Sequence, residues 1–213
     1  MVMQPQKALT RNTKADFVME LVQTVSGLLL VGFLWTHMLF VGSILLGVEA
    51  FDALAQFMEQ YRLLDVAVVF IILTVAAHIG AVFRRIPGRL QEQKIVWKHA
   101  RTIKHSDTWS WLFQAVTGSA MLVLIIIHVF TVVYAGIDSK MSADRVNSWM
   151  LWFYLVFLLL AEYHASVGIY RALIKWGFLK RHSLKRVLSV VTVCTIALGC
   201  VSLWIFYWLG DTA

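Results

Sequence analysis

The chain has 213 residues, of which 60% are hydrophobic, 15% charged and only two proline. A soluble domain carries about a quarter charged and about half apolar residues, so this excess requires an apolar solvent and points to an integral membrane protein. The formal net charge of +7 does not indicate nucleic-acid binding, because the basic residues flank apolar runs instead of forming one surface. Cys194 and Cys200, six apart in a C-terminal apolar run, fit neither a disulfide framework nor a zinc site.

A hydrocarbon core of about 30 Å needs roughly 20 helical residues. In chain order, Lys7, Arg11 and Lys14 precede a first predicted span over 21–48, which is too long for the apolar core of a cleaved signal peptide. Segment 49–61, EAFDALAQFMEQY, repeats apolar Phe51, Leu54, Ala55 and Met58 at three- and four-residue spacing. It is predicted as a short helix lying in the interface. A second span follows over 63–83, then a loop with seven basic residues between Arg84 and Lys104. The third and fourth spans cover 109–137 and 148–174, six basic residues lie between Arg171 and Arg186, and the fifth span covers 187–209. Of the 19 Lys and Arg residues, 16 thus fall on one side, and only Arg62, Lys140 and Arg145 on the other. The positive-inside rule makes the N-terminus, the 84–107 loop and the 175–186 loop cytoplasmic and the C-terminus external. No loop has room for a soluble domain, so 1–213 reads as one transmembrane domain whose chemistry lies in the bilayer or at its faces.

Of seven histidines, His99, His105 and His182 sit in basic loops and read as solvated surface. The other four, His37, His78, His128 and His164, fall one each in spans 1 to 4. An intramembrane imidazole needs partners for its ring nitrogens, so each is either a functional group or a core histidine bonded to a neighbouring carbonyl. Depth makes the set more informative than its members. At roughly 1.5 Å per helical residue, His37 and His128 both lie about 12–15 Å from the outer helix ends. His78 and His164 lie about 9–11 Å from the cytoplasmic ends. Two histidine pairs at two depths are what two stacked bis-histidine haems require.

An internal repeat accompanies the pairing. Gln23-x-Val25-Ser26-Gly27 precedes His37 as Gln114-x-Val116-Thr117-Gly118 precedes His128, with a glutamine-to-histidine spacing of 14 in both. Spans 1 and 3 therefore read as equivalent halves. Gly27, Gly118, Gly80 and Gly168 either give a flat macrocycle room or let helices pack closely. No Cys-x-x-Cys-His occurs, so the haems would be non-covalent and b-type. Zinc is disfavoured because the histidines divide between two depths without cysteine or carboxylate support.

The stretches SGLLLVGFLWTHMLFVGSILLG, HSDTWSWLFQAVTGSAMLVLIIIHVF and AEYHASVGIYRALIKWGF resemble the diheme cytochrome b subunit of quinol:fumarate reductase. The type is the single-polypeptide, five-helix one of epsilonproteobacteria and sulfate reducers such as Desulfovibrio. The resemblance implies an all-α, five-helix bundle with two stacked haems b inside the first four helices, in a bacterial inner membrane with the C-terminus periplasmic. His37 and His128 would ligate the outer, distal haem; His78 and His164 would ligate the inner, proximal one. Electrons from menaquinol would pass to an iron–sulfur subunit and a flavoprotein subunit on the cytoplasmic face, where fumarate is reduced. A dimer of heterotrimers is the assembly consistent with it. By residue chemistry alone Glu162, the only carboxylate deep in a span, is protonated, paired, part of a proton route or a packing group. The resemblance implies a transmembrane proton path for it. Glu59, otherwise a solvated acid, matches a glutamate that accepts protons from quinol. Membrane topology alone asks for basic residues such as Arg84, Arg85, Arg171 and Lys175 on the cytoplasmic face, and the alternatives are that they pair with haem propionates, attract anionic lipid or contact the iron–sulfur partner. Trp109, Trp111, Trp149 and Trp176 read as interfacial anchors. The competing classes are the succinate:quinone reductase direction, a diheme cytochrome of a formate dehydrogenase or hydrogenase, and a non-redox transporter or anchor.

Overall fold

The computed structural model describes residues 13–83, 90–177 and 181–212, and among these every regular element is helical. Helix α1, Thr13–Gly42, starts well before residue 21. Hydropathy marks the hydrocarbon, whereas the backbone hydrogen bonds of a helix continue through the polar interface. Asp16 in its first turn complements the positive end of the helix dipole. The chain then tightens into one 3-10 turn, Ser43–Leu46, and breaks at Gly47, whose φ of 115° favours glycine. Helix α2, Val48–Gln60, is the expected amphipathic segment and buries Phe51 and Ala55. Helix α3, Leu63–Phe83, is the second span.

The basic 84–107 segment, expected as a loop, contains helix α4, Leu90–Ile103. Its polar composition hid a helix anchored by the buried Ala100 and by Trp97, whose ring meets Trp109 edge-on at 5.6 Å. Helix α5, Ser106–Ala135, is the third span. The expected outer loop before the fourth span also holds a short helix, α6, Ser139–Arg145, whose N-cap Asp138 accepts from the Met141 N–H at 2.6 Å. A wide turn over Val146–Met150 with a kink at Ser148 leads into α7, Leu151–Lys175. Helix α8, Arg181–Asp211, is the fifth span. Five helices are long and apolar enough to cross a membrane.

Helix α1 packs on α3, α5 on α7, and α1 touches α7, with α8 lying against both α1 and α7. Small residues permit that close approach: a Cβ on Gly199 would stand 2.7 Å from Leu158 and 2.9 Å from Met38. At the α2/α6 end, Ile44, Phe51, Ala143, Val146, Leu203 and Phe206 form an apolar cluster. Ser139 ties α6 to α2 there by donating its N–H and hydroxyl to Asp52 at 2.7 and 2.8 Å. Around the long helices Leu39, Phe130, Trp152 and Trp204 are exposed, as lipid contact allows. Cys194 and Cys200 are free, exposed thiols on α8.

Candidate functional site

A cavity of about 1980 Å³ runs through the bundle, and His37, His78, His128 and His164 all line it. Pockets for a single ligand reach about 1,000 Å³, so this space is twice as large as one ligand needs. Among the described residues no three His, Cys, Asp or Glu side chains converge to hold a metal ion. The histidines come in twos.

His37 on α1 and His128 on α5 face one another, with ring centroids 5.9 Å apart and planes inclined by 70°. His78 on α3 and His164 on α7 are close enough for their charges to interact. The surroundings of the two pairs differ. His37 stacks on Phe33 at 5.6 Å, while His128 meets Tyr154 and Phe157 at 5.8 and 5.4 Å. The buried Nδ1 of His128 has no hydrogen-bond partner among the described residues. The inner pair is held by polar contacts instead. Ser26 Oγ lies 3.1 Å from His78 Nδ1, and the Gln23 backbone also hydrogen-bonds this histidine. Thr117 Oγ1 lies 3.2 Å from His164 Nδ1, and the Gln114 carbonyl 3.1 Å from the same nitrogen.

Of the four glycines singled out in the sequence, Gly27 and Gly118 abut the rings of His78 and His164 respectively. Gly168 abuts the Gln114 amide, and Gly80 has open space beside it. The repeated motif therefore meets the inner pair directly.

Glu59 is an exposed side chain on α2 that lines the cavity with Arg62 and Asp65. Glu162 is fully buried yet is not part of the cavity wall. Neither of its carboxylate oxygens has a hydrogen-bond partner among the described residues. The Thr192 hydroxyl on α8 approaches it and is hydrogen-bonded to Ser166. Lys175 pairs with Glu20 on α1, and Arg171 lines the cavity. Arg84 and Arg85 lie outside the described residues. Trp176 does more than anchor: its indole N–H donates to Thr24 at 3.3 Å.

Sequence reasoning missed Arg145. Its guanidinium donates to the Gly136 and Thr131 carbonyls at 2.9 and 3.3 Å, capping the C-terminus of α5. It also lines the cavity and acts electrostatically on His128 and Tyr154. It also donates to the Ser142 hydroxyl at 3.2 Å, but its carbonyl partners leave no residue-type signature.

The family model for the succinate dehydrogenase/fumarate reductase transmembrane subunit matches residues 91–202. A fumarate reductase cytochrome b subunit of Helicobacter pylori is 35% identical over 200 residues, covering 87% of this chain and 77% of the relative. That of Wolinella succinogenes is 30% identical over 198 residues, covering 84% and 77%. Both relatives are of the epsilonproteobacterial type. With five membrane-spanning helices, a histidine-lined cavity and this similarity along most of its length, the chain belongs to the succinate dehydrogenase/fumarate reductase transmembrane subunit family as a fumarate reductase cytochrome b subunit.

Proposed function

We propose that this chain takes electrons from menaquinol at the outer face of a bacterial inner membrane and delivers them through two haems b to an iron–sulfur subunit and a fumarate-reducing flavoprotein. The observation that carries the reading is the pairing of four intramembrane histidines along one cavity. The rings of His37 and His128 approach to 5.9 Å between centroids, so these two side chains would supply ligands to one metal ion between them. Two protein ligands are too few for zinc, which takes three or four. They suit an iron whose remaining ligands come from its own macrocycle. His37 and His128 would hold one haem and His78 and His164 the other. Gly27 and Gly118 keep space beside the inner rings. When bound, the two haems supply one-electron carriage between the membrane faces.

The rest falls to side chains of this chain. Quinol oxidation releases two electrons and two protons, so a base is needed at the outer mouth. Glu59 supplies it, from an outer helix on the cavity wall. Glu162, buried between α7 and α8, is the candidate for carrying protons within the span, by a route that does not use the cavity wall. The basic face positions the iron–sulfur and flavoprotein subunits on the cytoplasmic side, consistent with the distribution of Lys and Arg.

Replacement of His78 or His164 by alanine is expected to remove one and the same haem, and replacement of His37 or His128 the other. Redox titration of each variant in membranes checks this. Loss of different transitions in the His78 and His164 variants overturns the assignment.

A further inference from the structure

The repeat Gln-x-Val-(Ser/Thr)-Gly carries an inference about how the inner pair is set, and it rests on the functional reading above. Ser26 Oγ lies 2.6 Å from the Val22 carbonyl, to which it donates, and 3.1 Å from His78 Nδ1. Thr117 Oγ1 donates to the Phe113 carbonyl at 2.8 Å and lies 3.2 Å from His164 Nδ1. A hydroxyl has one proton. With that proton committed to a helix carbonyl, each oxygen meets the imidazole as an acceptor, so Nδ1 of His78 and of His164 carries the hydrogen. In a neutral imidazole the other nitrogen, Nε2, then has a bare lone pair. The Gln114 carbonyl, 3.1 Å from His164 Nδ1, can only accept and enforces the same tautomer.

We propose that Ser26 and Thr117 are positioning residues for the inner haem: alongside the Gln23 backbone and the Gln114 carbonyl they hold the Nδ1–H tautomer of His78 and His164, present Nε2 to the iron, and lower this haem's potential relative to the same site without the two hydroxyls. An acceptor on Nδ1–H makes an imidazole more basic, and a more basic ligand favours ferric iron. In the outer pair His128 lacks the device, since its Nδ1 is without a hydrogen-bond partner among the described residues. The two potentials are thereby adjustable separately, although all four ligands are histidine. The pairing of Ser with His78 and Thr with His164 also explains why the motif occurs once in each half of the chain: each copy supports the inner ligand carried by the helix it packs on.

The test compares Ser26→Ala and Thr117→Val with the hydroxyl-keeping Ser26→Thr and Thr117→Ser in the intact membrane complex. The readouts are haem content, optical redox titration and the ferric low-spin EPR signals. The inner transition is identified as the one missing in His78→Ala. Loss of either hydroxyl is expected to shift that reduction equilibrium upward by about tenfold, which is about 59 mV for a one-electron couple. The inner EPR signal should change and the outer transition stay in place, while Ser26→Thr and Thr117→Ser behave as wild type. An unmoved inner transition, or equal shifts of both transitions, overturns the proposal. If Ser26→Ala or Thr117→Val loses the inner haem altogether, retention in the hydroxyl-keeping variants supports the proposal and loss in them overturns it. Wild-type complex without two bis-imidazole haem transitions overturns the functional reading itself, and that result is read before any variant is made.

Discussion

A Cβ on Gly118 would stand 2.8 Å from His164 Cε1, whereas one on Gly27 would stand 3.2 Å from His78 Cε1. The first is closer than real Cβ atoms come, and its neighbour is a ring held by two hydrogen bonds instead of a flexible chain end. Gly118→Ala is therefore expected to displace His164 and lose the inner haem, while Gly27→Ala retains more of it; haem per polypeptide measures both. Glu59 and Glu162 separate by position. Glu59→Gln is expected to lower quinol-dependent fumarate reduction by about 100-fold or more, the usual worth of a positioned base. Both haems and activity with an artificial donor to the partner subunits should survive. Glu162→Gln should leave quinol binding intact and change the pH dependence of haem reduction; unchanged turnover and pH dependence would mark it as a packing residue. The four histidines were legible in the sequence because an imidazole in an apolar run is rare, and counting from helix ends led to the neighbours that the cavity holds. The role of Ser26 and Thr117 was not. Their spacing to His37 and His128 is local and visible, but the rings they touch lie 52 and 47 residues further on.

At the scale of elements, apolar content reveals spans and hides polar helices. The five long helices follow from runs that exceed the bilayer thickness, and α2 follows from its apolar stripe. Helices α4 and α6 do not: α4 reads as a basic loop, and α6 is seven residues whose start depends on the Asp138 cap. The clip between Asp52 and Ser139 is equally invisible, because two short polar side chains 87 apart carry no pattern. It joins the outer helix bearing Glu59 to α6, and hydrogen bonds to a charged group contribute about 1.5–3 kcal/mol. Asp52→Ala is expected to lower the thermal midpoint of the detergent-solubilised complex and to weaken quinol turnover more than haem binding. A thermal midpoint equal to that of wild type would show that the cluster around Phe51 and Phe206 holds this end unaided.

For the whole molecule, the distribution of basic residues makes a direct prediction about orientation. A reporter fused after Ala213 should be active outside the membrane, and one inserted near Lys94 inside; the reverse would move the quinol site to the face of the partner subunits. The arrangement of the two halves has a geometric consequence. Exchanging α1 with α5 and α3 with α7 carries the Ser26–His78 contact onto the Thr117–His164 contact. Helices α1 and α5 cross in the same direction, as repeats related by an axis along the membrane normal do. The same exchange swaps His37 with His128 and His78 with His164, so each histidine pair joins one residue from each half. Helix α8 has no counterpart under the exchange and packs on α1 and α7 as well as on α6 and the turns over Ser43–Leu46 and Val146–Met150. Under the proposed function, charge passing between the pairs passes between two sites each built from both halves, and asymmetry within a pair enters from α8, which belongs to neither half, and from Arg145, which lines the cavity with His128.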